Sequence, residues 1–324
     1  MTSSREAPRA PQPAGTAALI FAAQRVGLGI ASRIAPGIAR RWVTHLFCTP
    51  PRHPHPPLEK EWIARSRSLA VEGPNGRIAA WRWAPDGTMG EAAGVAIAAG
   101  ADDAAPPRRV LLMHGWGGRG TQLHAFIQPL LDAGYEVVAL DGPAHGFSDS
   151  RYASMLHFAR AIRAVVDRVG GVHGVIAHSL GGAATSLALA QGWVRAERVV
   201  TIAAPVDFDG YSRYFARQFN VSEAVRDAMQ KHLERRLGFT WKELEGGRLA
   251  AQNATPALVV HDRGDKEVPF AAGERIAACW PGALLLPTER LGHRRILRDP
   301  AVVARAVEFM NAHGSALDCS PAAA

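Results

Sequence analysis

The sequence predicts an α/β architecture, a mostly parallel central sheet with helices on both faces. Short apolar runs recur at 110–113, 136–140, 174–177, 198–202, 257–260 and 283–286. Stretches of helical periodicity separate most of them, at 121–133, 154–169, 180–191, 271–279 and 301–313. Strands with no polar side are covered on both faces, and alternation with helices makes them parallel. The 324 residues, 48% hydrophobic and 20% charged, can bury a full core without disulfides or metal. Ligands of such sheets bind beyond the carboxyl ends of the strands.

The chain begins with a polar Pro-, Ala- and Ser-rich segment, 1–15, expected to be a disordered tail. Residues 17–47 carry a helical pattern broken at Pro36-Gly37, with Leu19, Ile20, Val26, Ile30, Ile34, Ile38, Trp42 and Leu46 apolar and Arg25, Arg33 and Arg40 recurring near whole turns. Packing of this apolar face on the main domain is the preferred reading, and contact with an anionic membrane surface is the alternative. The run 50–57 holds five prolines with His53 and His55 and reads as a stiff, solvated linker. These parts make an N-terminal extension over 1–60, followed by a main domain at 61–314 and a tail at 315–324. In the main domain, 68–72 and 77–83 form a hairpin through Gly73-Pro74-Asn75-Gly76, and 85–108 an exposed loop.

The formal charge of +8 suggests nucleic acid until it is located. Residues 1–60 hold seven Arg and Lys60 against Glu6 and Glu59, which leaves the rest nearly neutral. No basic face with groove-reading elements follows, so nucleic acid is not an expected partner. Cys48, Cys279 and Cys319 are too few and too far apart for a disulfide framework or zinc module. No apolar run approaches a membrane span, and the expected location is the cytoplasm, or the membrane surface through 17–47.

Gly115-Trp116-Gly117-Gly118-Arg119-Gly120 follows a strand and matches G-x-G-x-x-G, with Asp141 closing the next strand. Alone it would mark a dinucleotide-binding oxidoreductase. His114 before it and His124 after it fit that reading poorly, and it leaves three further motifs unexplained. The strand at 174–177 runs into His178-Ser179-Leu180-Gly181-Gly182 and then a helix. A serine on so tight a strand-to-helix turn, with small neighbours, is a nucleophile elbow, here with Ala177 for the first glycine. A hydroxyl needs a base and the base an orienting carboxylate. His293 after the last strand is the candidate base. Asp265 is the candidate acid, with Asp262 competing and read as a brace of the same loop. The backbone N–H groups of Trp116 and Leu180 are the candidate oxyanion donors.

In these motifs the chain resembles the α/β-hydrolase superfamily over about residues 65–313. The resemblance rests on the His-Gly loop at 114–118, the D-x-P-x-H-G-x-S segment at 141–148, the elbow, and the Asp and His loops in the order Ser179, Asp265, His293. It implies an α/β-hydrolase fold and a serine hydrolase acting through an acyl-enzyme, on a small or lipid-like carboxylic ester, with no cofactor or metal. His145, Asp149 and His178 are then loop-shaping residues. A non-catalytic relative of the fold remains the other alternative. The usual place for a small helical cap is about 205–250, where Tyr211, Tyr214, Phe215 and Phe219 would give it an aromatic underside, or serve as core.

Overall fold

The computed structural model describes residues 15–85 and 107–312. The expected tails at 1–15 and 315–324, the loop at 85–108 and Cys319 lie wholly or mostly outside the described residues. In chain order, helices α1 (Thr16–Ile34), α2 (Pro36–Cys48) and α3 (Pro57–Ala64) precede strands β1 (Arg67–Gly73), β2 (Gly76–Trp83) and β3 (Arg109–Met113). A 3₁₀ segment, Gly120–Phe126, leads into α4 (Ile127–Asp132), then β4 (Glu136–Leu140), α5 (Met155–Val169), β5 (Gly174–His178), α6 (Leu180–Ala190) and β6 (Arg198–Ile202). There follow α7 (Phe208–Gln218), α8 (Glu223–Leu237), α9 (Gly246–Ala250), β7 (Ala257–Asp262), α10 (Ala271–Cys279), β8 (Leu284–Thr288), α11 (Gly292–Arg295) and α12 (Pro300–Asn311). No helix among the described residues is long and apolar enough to cross a membrane.

The described residues divide into two compact units, Met1–Cys48 with Asp207–Lys242, and Thr49–Val206 with Glu243–Ala324. The second unit holds one eight-stranded sheet in the order β1-β2-β4-β3-β5-β6-β7-β8. The hairpin β1-β2 joins antiparallel, and every later neighbour from β4 to β8 is parallel. Every residue of β4 to β7 is buried, as strands covered on both sides require, whereas the β8 edge is more open. The chain moves outward from β3 to β4, then returns to lay β5 on the other flank of β3. That reversal opens a crevice at the carboxyl ends of β3 and β5. Register brings the strand ends level, Met113 beside Ala177 and Leu140, Ile202 beside His178 and Val260, and Asp262 beside Thr288. The loops carrying the sequence motifs therefore leave one edge of one sheet.

Local chemistry fixes several helix ends. Ser154 caps α5 by accepting the His157 N–H, and Asp299 caps α12 by accepting those of Ala301 and Val302, with Pro300 in the first turn. The continuous helix expected over 121–133 is instead a 3₁₀ segment and a short α-helix. Pro129 has no N–H to give a preceding turn, so it is tolerated near the start of a helix and not in the middle of a longer one. The linker expected at 50–57 is also different. It belongs to the sheet unit, where Pro50 and His55 are buried, and it leads into α3 with Pro57 as the first helical residue.

The other unit consists of α1, α2, α7 and α8. Phe47 of α2 sits 5.2 Å from Phe215, 5.9 Å from Tyr211 and 6.0 Å from Trp241, ring centre to ring centre. Phe21 of α1 meets Phe219 at 5.1 Å. Three of the four aromatics suggested for a cap's underside, Tyr211, Phe215 and Phe219, thus meet rings of the N-terminal helices. Arg226 is buried beside them, over the Trp241 ring and bonded to Asp209, Asp227 and Ser212.

Candidate active site

Ser179 follows the last residue of β5 and caps α6 with φ 52° and ψ −125°. A non-glycine residue in that region is strained by about 1–3 kcal/mol and must be held there. Its N–H donates to Ile202 O at 2.8 Å, anchoring the turn to the adjacent strand. Small neighbours make the turn physically possible. A side chain at Gly181 would meet His114 O at 2.4 Å, and one at Gly115 would place its Cβ 2.7 Å from that of Ser179. The loop after β3 therefore runs against the serine at backbone distance.

His293 is the second residue of α11, and its Nδ1 lies 2.7 Å from Asp265 Oδ2. A carboxylate accepts, so Nδ1 carries the proton and Nε2 keeps its lone pair. Asp265 Oδ1 accepts the N–H groups of Glu267 and Val268 at 2.8 and 2.9 Å. Burial alone would raise this carboxyl's pKa, but the His293 contact and the two N–H groups outweigh it and hold the pKa below its usual value. Asp262 is occupied elsewhere. It accepts from Gly264 N–H at 2.9 Å, Thr288 Oγ1 at 2.9 Å and Leu291 N–H at 3.0 Å, bracing the two loops that present Asp265 and His293.

His178 links these loops to the elbow. Its Nε2–H donates to the His293 carbonyl at 2.9 Å, and the two rings stand 4.6 Å apart. Burial, then the neighbouring His293, push its pKa down to about 3, so it is a neutral donor at working pH. His261 is buried next to Asp265, with Nε2 3.6 Å from Oδ2, but it donates to Val268 O at 3.0 Å.

The glycine loop is held by two further histidines. The Gly117 N–H donates to His145 Nε2 at 2.9 Å, and His145 Nδ1–H donates to Pro143 O at 2.9 Å. His114 Nδ1–H donates to Gly115 O at 2.6 Å while its Nε2 accepts from Gly142 N–H at 2.8 Å. Burial lowers His145 to about 4 and keeps His114 well below its usual value. Both are neutral props in fixed tautomers. Trp116 lies inside this propped loop, and Leu180 is the first residue of α6, where helix geometry leaves N–H groups without an internal acceptor.

The dinucleotide reading fails on Asp141. Its carboxylate is fully buried and accepts from Gly120 N–H and Phe147 N–H, both at 2.8 Å, which leaves no outward acceptor for a ribose. The loop also leads into a 3₁₀ segment, so no α-helix N-terminus faces a pyrophosphate. Burial pushes this carboxyl up to about 7.

A strap from the N-terminal side was not foreseen. Glu59 of α3 is buried and accepts both arms of Arg119, at 2.8 and 2.7 Å, and Thr121 Oγ1 at 3.0 Å. Arg52 donates to the carbonyls of Gly146, Ser148 and Ser150 at 3.2, 3.1 and 2.8 Å. His55, expected in solvent, is stacked on Phe147 at 4.5 Å and lies 3.7 Å from Asp141. The one sequence signal was Glu59, one of only two acids in the basic extension over 1–60. His53 is exposed, as a linker residue would be.

Comparison with known proteins agrees with this architecture. A family described as the alpha/beta hydrolase fold matches residues 108–246. The chain has the α/β-hydrolase fold. Among solved structures, an esterase from Pyrococcus furiosus aligns with a TM-score of 0.57 at 16% identity, covering 81% of this chain and 98% of the esterase. An esterase from Exiguobacterium antarcticum gives 0.57 at 15%, covering 76% and 100%. A bromoperoxidase from Bacillus anthracis gives 0.52 at 16%, covering 75% and 99%. At such identities the α/β-hydrolase likeness speaks for the fold, and the differing names of these neighbours leave the reaction to the site. A comparison with curated protein sequences finds no match.

Proposed function

We propose that this protein is a serine hydrolase that cleaves carboxylic esters through an acyl-enzyme. The observation that carries the reading is the His293–Asp265 pair at 2.7 Å, tied through His178 to the elbow that strains Ser179. In this reading Ser179 Oγ attacks the ester carbonyl as His293 Nε2 takes its proton. Asp265 holds the ring and stabilises the imidazolium. The tetrahedral oxyanion is met by the N–H groups of Trp116 and Leu180, one from each of the two loops that approach at Gly115 and Ser179. His293 then returns the proton to the leaving alcohol. Water, deprotonated by the same histidine, releases the acid and regenerates Ser179.

Ester and water are the reactants, acid and alcohol the products, and every other group invoked is a side chain or backbone group of this chain. Two of the structural neighbours are named esterases, which is compatible with this reading. The test is turnover of p-nitrophenyl esters of increasing acyl length, against the same panel of thioesters and anilides. The proposal expects ester turnover that Ser179→Ala lowers by about 10³-fold or more. Ester turnover unchanged in Ser179→Ala would overturn it.

A further inference from the structure

The helical unit leaves a sequence feature unused. One side of α1 is spent on packing: Leu28, Gly29 and Ser32 are buried, and Phe21 meets Phe219. The opposite side is also apolar. Leu19, Val26, Ile30 and Ile34 follow one another at helical spacing along α1, and Ile38 continues the row on α2. These five aliphatic side chains are between 53% and 77% exposed. Isolated exposed aliphatics are ordinary, but a row of them along one helix marks an interaction surface.

Charge selects what it meets. Arg25 and Arg33, each one position before a member of the row, and Arg41 of α2 are exposed, and neither helix contains an Asp or Glu. Arg33 donates to Gly29 O, one turn back along α1, at 2.8 Å. Aliphatic residues flanked by arginines suit a bilayer interface: the chains enter the acyl boundary while the guanidinium groups remain at anionic headgroups. A second copy of the same face would instead bring arginine to arginine with no carboxylate in either helix to compensate.

We propose that the exposed row of α1 and Ile38 docks this protein on the surface of an anionic lipid bilayer. The claim is independent of the ester chemistry. It is tested by co-sedimentation of the full chain with vesicles of phosphatidylcholine, alone or with about 30% phosphatidylglycerol. The expected result is binding to the anionic vesicles that weakens when salt rises from about 0.05 to about 0.5 M. Ile30→Asp with Ile34→Asp should weaken binding about tenfold or more without changing the melting temperature, since both positions are exposed. Arg25→Glu with Arg33→Glu should remove the preference for anionic over neutral vesicles. Absence of binding to anionic vesicles, or equal binding by the double aspartate variant, overturns the proposal. So does light scattering that finds a dimer which only the aspartate variant dissolves, with no vesicle binding, because the row would then be covered by a second copy.

Discussion

At the residue scale, the strongest claims concern two aspartates three positions apart. Asp265 and Asp262 leave the same strand end, but only Asp265 bonds His293, while Asp262 accepts three donors from the two loops. Asp265→Asn should therefore lower ester kcat by on the order of 10⁴ with little loss of stability, because the amide no longer fixes the histidine tautomer. Asp262→Asn should act mainly on stability, by leaving donors without an acceptor, and its melting curve should show a larger shift than that of Asp265→Asn. Comparing kcat with melting temperature for the two variants checks this. The reversed pattern would exchange their roles. Much at this scale was legible in the sequence, since strand ends and loop order are enough to nominate Ser179, Asp265 and His293. The resemblance already implied loop-shaping roles for His145 and His178, but the partners of these two and the role of His114 were not legible, because they depend on burial and on residues distant in the chain.

At the scale of elements, the strap made by 50–64 is the part with most consequence for the site. Buried Glu59 and Thr121 with half-buried Arg119 form a cluster that fixes the glycine loop from outside, and Arg52 holds the segment at 146–150. Glu59→Ala leaves the half-buried Arg119 and the Thr121 hydroxyl without their acceptor, at a cost of about 1–3 kcal/mol. Urea unfolding should show that loss. Ester turnover at temperatures where the variant stays folded should show a lower kcat with KM nearly unchanged, since an oxyanion donor acts in the transition state. An unchanged unfolding midpoint would mean that the clamp contributes nothing. Strands and amphipathic helices were readable because apolar period alone defines them: α10 and β6 have the expected ends. The strap was not, because proline-rich sequence excludes regular structure without saying whether the extended chain is bound or free. The helix at 121–133 was misjudged for a related reason, a Pro129 that an apolar period does not register.

At the scale of the whole molecule, buried histidines set the response to acid. His178 and His145 have pKa values lowered to about 3 and about 4, against about 6.5 when unfolded. Between those values the unfolded chain binds the extra protons, so stability rises with pH, by about 1.4 kcal/mol per pH unit for each histidine. Asp265, held low, adds to the loss as pH falls through its folded pKa. Asp141 works in the opposite direction: raised to about 7, it keeps its proton in the folded state and lowers stability as pH climbs from about 4 to about 7. With two strongly lowered histidines against one raised carboxyl, the melting temperature should fall as pH drops from about 6.5 to about 4.5. His145→Gln should flatten that slope, and a slope unchanged by the substitution would contradict the assignment. The grouping of the chain was also hidden at this scale. Composition separates a basic N-terminal extension from a neutral remainder, whereas packing joins α1 and α2 with α7 and α8 through rings more than a hundred residues apart in sequence.

The central claim is that Ser179 is a nucleophile activated by His293, and a fluorophosphonate tests it most directly, because the reagent phosphonylates only an activated serine. Peptide mass spectrometry of the treated protein should find a single adduct on Ser179, absent in Ser179→Ala and formed much more slowly in His293→Ala. An untouched Ser179 in the folded wild-type protein, or an adduct whose rate is indifferent to His293, would contradict the account.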